Sequence, residues 1–203
     1  EGSNPTEVST PYHKPFRLRH AAIFRAKAFA RGATDSVGSI AFYEPPPAPI
    51  IETFETATDG ATAPHAATSE DAQRKQYQAR ITEDEAGEGD RSLKFTDGPG
   101  QKASYTPHVC YRRTYDEGHM ASRVALRVDD HSSMQLQWRK YDGNSYTNGP
   151  SFTVEPGGRI VHQGEPLSKV PLDQWIRVEL SETLGDAADG KFQLRVWLPG
   201  QLE

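Results

Sequence analysis

The stretch Met120-Ala121-Ser122-Arg123-Val124-Ala125-Leu126-Arg127-Val128 decides how this chain folds. Met120, Val124, Leu126 and Val128 are apolar at even positions, and Arg123 and Arg127 fall on odd ones, which is the two-residue period of a β-strand. Trp175-Ile176-Arg177-Val178-Glu179-Leu180 repeats the pattern: Ile176, Val178 and Leu180 share one side, Trp175, Arg177 and Glu179 the other. Such strands bury one face in a core and leave the second face wet. On a concave sheet, that second face is where function would sit.

Working outward, further strand candidates cover Tyr77–Thr82, Ser92–Phe95, Val109–Tyr115, Met134–Lys140, Ser151–Val154, Arg159–His162 and Lys191–Trp197, with a first one at Ile50–Glu55. The breaks between them are rich in glycine: Asp97-Gly98-Pro99-Gly100, Asp142-Gly143-Asn144, Asn148-Gly149-Pro150, Pro156-Gly157-Gly158 and Asp189-Gly190. No amphipathic helix of three turns interrupts the series, so the expectation is a β-sandwich or jelly roll. The polar stretch Thr56–Lys75 has no strong period and reads as a surface loop or a mobile segment.

Upstream, Tyr43-Glu44-Pro45-Pro46-Pro47-Ala48-Pro49 favours an extended polyproline conformation and is taken as an interdomain linker. Before it lie short β-rich segments, Phe16–His20, Ala22–Ala30 and Ser36–Tyr43. The 203 residues, with 17 Gly and 15 Pro, thus divide unequally: a small all-β unit over 1–44, a proline linker over 45–49 and a larger β unit over 50–203.

Composition excludes several classes. A net charge of -5, with Lys and Arg scattered, offers no electrostatic stripe for a phosphate backbone, so no nucleic acid partner is expected. No run of 18 apolar residues suggests a membrane span, and the start has no signal-peptide pattern. The single cysteine, Cys110, has no internal partner for a disulfide and reads as a small buried hydrophobe.

Glu1-Gly2-Ser3-Asn4-Pro5-Thr6, Ser9-Thr10-Pro11-Tyr12 and Phe24-Arg25-Ala26-Lys27-Ala28-Phe29-Ala30 together resemble the C-terminal Ig-like module of chitobiase and β-hexosaminidase chains, with Glu1 where that family usually has Asp. The strands that normally precede this motif are absent, so 1–44 resembles the C-terminal part of such a sandwich. Ile51-Glu52-Thr53-Phe54-Glu55, Gly89-Asp90-Arg91-Ser92-Leu93-Lys94-Phe95 and Pro171-Leu172-Asp173-Gln174-Trp175-Ile176-Arg177-Val178-Glu179 resemble strands of concanavalin A-like, laminin-G-type domains. The expected fold is therefore all-β: a partial Ig-like β-sandwich followed by a concanavalin A-like jelly-roll sandwich. The resemblance implies a secreted or cell-surface bacterial multidomain protein, often one that handles polysaccharide. It also implies no cofactor except a structural calcium, for which Glu52, Asp90 and Asp97 are the oxygen-ligand candidates.

Catalysis has no visible carrier in the sequence, and no catalytic residue is assigned. The carboxylate triplet of laminarinase-type members is missing, and Glu83-Asp84-Glu85-Gly87-Glu88-Asp90 has no apolar neighbours to raise a pKa, so it reads as a solvated turn. Lyase-type motifs combining Gln with His and Tyr are lacking. The seven histidines, His13, His20, His65, His108, His119, His131 and His162, have no metal-ligand spacing. No nucleophile elbow or phosphate loop occurs. A catalytic pair formed only in three dimensions stays open, which keeps a polysaccharide-degrading fragment among the alternatives.

The richest binding constellation runs from Gln135 to Asn148. Sugars are held by aromatic faces that stack on pyranose C–H patches and by planar polar groups that bond paired hydroxyls. Trp138, Arg139, Tyr141, Asp142, Asn144 and Tyr146 offer both kinds, and Tyr111, Arg113 and Tyr115 would extend the platform if they alternate along one strand face. Trp138 has two readings, because in strand register it shares a face with Met134 and Leu136 and so also suits the core. The function expected is noncatalytic carbohydrate binding or adhesion. The alternative is an assembly subunit whose incomplete Ig-like unit is completed by a partner strand.

Overall fold

The computed structural model describes residues 3–16, 18, 21–43 and 47–201. Glu1, Gly2, Arg17, Arg19, His20, the linker residues Glu44, Pro45 and Pro46, and Leu202 and Glu203 lie outside the described residues. The chain is all-β and divides into two compact units, Glu1–Ala48 and Pro49–Glu203.

In the first unit, β1 (Ala22–Ala26) pairs antiparallel with β2 (Ser39–Tyr43), Ile23 opposite Phe42 and Arg25 opposite Ile40. One face is partly covered by Phe16, whose ring lies 5.4 Å from that of Phe24, and by Tyr12 beyond it. Phe16 and Leu18 are not in a strand, contrary to the expectation for Phe16–His20, and β1 stops at Ala26.

The second unit contains β3 (Ala67–Ser69), β4 (Gln78–Thr82), β5 (Ser92–Thr96), β6 (His108–Cys110), β7 (Gly118–Leu126), β8 (Met134–Asp142), β9 (Ser145–Glu155), β10 (Arg159–His162), β11 (Glu165–Lys169), β12 (Ile176–Leu184) and β13 (Phe192–Trp197). A four-stranded sheet has the order β11-β10-β9-β8, a three-stranded sheet the order β13-β12-β7, and β3-β6 and β4-β5 form two-stranded pairs. One apolar cluster joins the two larger sheets. Phe152, Val154 and Ile160, with Met134 and Leu136 beside them, meet Leu126, Ile176 and Val178, flanked by Val124, Leu194 and Val196. These are the inward positions of the alternation in β7 and β12, so burial of that face is what orders the strands.

Four expectations need correction. Ile50–Glu55 is not a strand: Phe54 has φ 65°, a left-handed conformation that ends an extended run, and its carbonyl accepts the Ala57 amide in a turn. The strand expected over Val109–Tyr115 ends at Cys110, which is free and half-buried. Thr56–Lys75 is not all loop, because Ala67–Ser69 pairs with His108–Cys110. Asn148-Gly149-Pro150 does not separate two strands. It lies inside β9, where the β8–β9 register shifts between Gln137 and Arg139, a bulge that tolerates a proline without an amide hydrogen.

The acidic run after β4 is exposed, and it is also tied down. Glu85 pairs with Arg127 and Glu88 with Arg177, both arginines belonging to the β7 and β12 side of the fold, while Glu83 pairs with Arg91 and Asp84 with Lys94. Gly87 lies so close to Trp175 that an added Cβ would come within 2.8 Å of its ring. The run is a strap laid over the outer face of the three-stranded sheet.

The turn into β10 is the tightest backbone approach. Gly158 sits at φ 78°, its carbonyl accepts the Val170 amide at 2.8 Å, and a Cβ there would overlap the Val170 carbonyl oxygen. Gly158→Ala is expected to cost about 2 kcal/mol or more of unfolding free energy, from the left-handed conformation and the overlap together. Urea denaturation that shows no loss would disprove this account of the turn.

Candidate functional site

The candidate site is built on the outer face of the four-stranded sheet, and a bulge between β8 and β9 determines which side chains form its aromatic end. Up to Gln137, the β8–β9 register pairs Met134 with Val154, Leu136 with Phe152 and Gln137 with Ser151; beyond it, Arg139 pairs with Asn148 and Tyr141 with Tyr146. One extra residue on β9 separates the two registers. Even-numbered Phe152 and Val154 therefore face the core, whereas even-numbered Asn148 and Tyr146 join Tyr141 and Arg139 on the opposite face.

That outer face has an aromatic, cationic end. Tyr141 and Tyr146 are 56% and 50% exposed, with ring centres 5.6 Å apart and planes tilted by 51°. The Arg139 guanidinium stacks 4.4 Å from the centre of the Tyr146 ring, and its Nε donates to Gln137 Oε1 at 2.8 Å. An exposed cation–π contact of this kind contributes roughly 0.5–1 kcal/mol and holds the Tyr146 ring in place. From here a polar depression of about 410 Å³ continues along the sheet, lined by Gln135, Gln137, Asn148, Ser151 and Thr153. Its apolar floor is Val161, buried between Thr153 and Pro166 in the cross-strand register. The hairpin Gln163-Gly164, with φ 50° and 86°, closes one side as a two-residue turn of the type I′ kind.

The other sequence candidates fall elsewhere. Trp138 turns inward: its indole Nε1 donates to Ser122 Oγ of β7 at 2.8 Å, so it bridges the two sheets on the side of Met134 and Leu136 rather than joining Tyr141. Asp142 and Asn144 are exposed at the β8–β9 hairpin, and alternation puts Asp142 on the face opposite Tyr141. Tyr111, Arg113 and Tyr115 do not alternate along a strand, because β6 ends before them. Tyr111 is held near Glu52: burial, and then the Glu52 charge, push its phenol from the ordinary 10.0 up to about 12. Glu52 in turn accepts a 3.0 Å contact from His65 Nδ1.

Of the calcium candidates, Glu52 thus faces His65, and Asp97 Oδ1 accepts the Gly98 amide at 2.6 Å and the Gln101 side-chain amide. Asp90 contributes its backbone amide to the Glu55 carboxylate. Among the described residues, no group of three or more His, Cys, Asp or Glu side chains gathers as a metal site would require.

The constellation read from the sequence ended at Asn148 and left out Ser151 and Thr153, which the bulge brings onto the same face as Asn148. His108 of β6 has its pKa lowered by burial and then by the charge of Arg139. No family model matches the chain, nor does any curated protein or solved structure. Among the described residues, no helix is long and apolar enough to cross a membrane.

The Tyr111 environment sets a pH dependence. A folded pKa above the unfolded one favours the neutral phenol, so its contribution is complete below pH 10 and disappears as pH rises through about 12. Tyr111→Phe should therefore lose less stability than the unaltered chain between these limits, measured as the urea midpoint against pH. Parallel curves for the two proteins would refute the assignment.

Proposed function

We propose that this chain is the noncatalytic carbohydrate-binding or adhesion region of a secreted or cell-surface bacterial multidomain protein, and that the outer face of the β11-β10-β9-β8 sheet holds the polysaccharide. The observation that carries the reading is the exposed Tyr141–Tyr146 pair, with Arg139 stacked on it, at the head of a polar trough. Two tilted rings offer stacking surface to a pyranose, and the amides and hydroxyls of Gln135, Gln137, Asn148, Ser151 and Thr153 offer both donors and acceptors to sugar hydroxyls. Val161 supplies an apolar patch beneath the C–H edges of a ring.

The dimensions support a chain-like ligand. From Tyr146 to Glu155 the face runs for nine residue-to-residue steps, roughly 30 Å at ~3.4 Å per step. An open trough of that length suits several linked sugars better than one. Binding is by stacking and hydrogen bonding, with no bond made or broken, and the larger unit is read as a jelly roll of the concanavalin A-like kind because two antiparallel sheets enclose one core.

A second reading concerns the first unit. Ile23, Ile40 and Phe42 lie on one face of the β1–β2 pair and are 62%, 56% and 77% exposed. A two-stranded sheet is marginal alone, so a partner strand or layer would complete it, as the assembly alternative requires.

Tyr146→Ala is expected to weaken retention in polysaccharide affinity gels about two- to tenfold, the equivalent of roughly 0.5–1.5 kcal/mol for an aromatic stacking contact, with Tyr141→Ala similar and the melting temperature lowered by no more than about 4 °C through loss of the contact with Arg139. Deletion of Gly149 should do the same by a different route, since removing the bulge turns Tyr146 to the opposite face. Full retention by all three variants removes the site. For the second reading, light scattering should give a mass above 22.5 kDa at micromolar concentration, and a strict monomer would rule out self-completion.

A further inference from the structure

The same outer face carries a charge pattern that the stacking argument does not use. In cross-strand register, Arg159 of β10 lies directly opposite Glu155 of β9 on one side and Lys169 of β11 on the other. Arg159 commits Nε and Nη2 to Glu155 Oε2, at 2.9 and 2.5 Å, which neutralises one positive charge. Lys169 has no ion pair among the described residues. Two cations placed opposite each other on neighbouring strands repel, and one carboxylate offsets only one of them.

A second depression, of about 540 Å³, opens at this point. It is lined by Arg159, Lys169, Ser168, Leu167 and Pro166 and by the Pro156-Gly157 turn, with no carboxylate among its lining residues. At the far end of the trough Arg139 is a third cation on the same face, stacked on Tyr146 and hydrogen-bonded only to a neutral amide. Among the described residues the face therefore carries Arg139, Arg159 and Lys169 against Glu155, in a chain whose overall charge is -5.

We infer that the ligand of this face is an acidic polysaccharide, and that a carboxylate or sulfate substituent on it is held between Arg159 and Lys169. The inference rests on the glycan-binding reading and narrows its ligand class. The anion completes the Glu155–Arg159–Lys169 row by giving Lys169 a partner and Arg159 an acceptor for Nη1. Charge-assisted hydrogen bonds of this type are about twice as strong as neutral ones, so they select charged glycans over neutral glycans of the same shape. The negative remainder of the chain does not defeat this, because charges farther than about 8 Å are screened at physiological ionic strength.

The test uses matched pairs: polygalacturonate against its carboxyl-reduced form, and dextran sulfate against dextran, each in affinity gels at low and raised salt. The unaltered chain should hold one or both charged members about tenfold more tightly than the neutral partner, with the preference fading as salt rises. Which pair shows the preference tells carboxylate from sulfate. Lys169→Gln, whose side chain makes no ion pair to be lost from the fold, should erase most of that preference and leave neutral retention and melting temperature unchanged, whereas Tyr146→Ala should lower retention of charged and neutral members alike. Equal retention within both pairs, or a preference that survives Lys169→Gln, overturns the acidic-ligand inference and leaves glycan binding standing. Retention of no member of either pair overturns the inference together with the reading on which it rests.

Discussion

The structure depends on the burial of one face of each large sheet. Phe152, Val154, Ile160, Ile176 and Val178 are each no more than 2% exposed and belong to a single cluster that spans both sheets. At roughly 1.5–3 kcal/mol for each such side chain, their combined burial, about 8–15 kcal/mol, is as large as the whole net stability of an ordinary domain, about 5–15 kcal/mol, so no arrangement that exposes them competes. This fixes the strand register. A slip of one residue would turn the entire apolar set to solvent, and the polar set of the outer face would be forced inward with it. The trough exists because the core leaves Gln135, Gln137, Ser151 and Thr153 no other side to occupy.

The register shift between β8 and β9 creates the aromatic end of the candidate site. If β9 continued without its bulge, Tyr146 would keep the parity of Phe152 and Val154 and face inward, and the pair with Tyr141 would not form. Gly149-Pro150 inserts one residue, Pro150 is buried at the kink, and the outer end of β9 is rotated by one position. Trp138 opposite the bulge anchors the change, since its indole reaches Ser122 across the core at 2.8 Å. One strand therefore presents even-numbered residues to the core along one half and to solvent along the other.

This explains what could be read from the sequence and what could not. The strands with one buried and one wet face, β7, β9, β10 and β12, announce themselves by alternation, and their core residues follow from it. β11 escapes because Glu165, Pro166, Leu167, Ser168 and Lys169 are all exposed, leaving no period to detect. β3 is too short to show one. Ile50–Glu55 misleads in the opposite direction, being apolar enough for a strand while Phe54 turns the backbone left-handed. In the site, Tyr141, Tyr146 and Arg139 were visible as aromatics and a cation beside a glycine turn. The polar row was not, because assigning Asn148 and Ser151 to one face requires knowing that a bulge separates them. Lys169 was hidden with its strand.

Electrostatics then distinguishes the two outer faces of the sandwich. On the β13-β12-β7 side, Glu179 is buried, its carboxylate shared between Arg123 and Arg195, which stand opposite it on the neighbouring strands. Arg127 and Arg177 on that side meet Glu85 and Glu88 from the acidic strap, and Trp175 is roofed by Gly87. Its cations are thus met by carboxylates of the same chain, and a segment of backbone lies across the surface. On the β11-β10-β9-β8 side the aromatic pair is half exposed, and Arg139, Arg159 and Lys169 face one carboxylate, Glu155. An incoming anionic chain would have to displace existing ion pairs on the first face, at a desolvation cost its own contacts must exceed. On the second it meets charges already exposed and only partly compensated. The acidic strap, which in sequence looks like an undirected cluster of carboxylates, in this way neutralises cations of the sheet it covers and leaves the opposite sheet as the face with exposed, partly compensated charge.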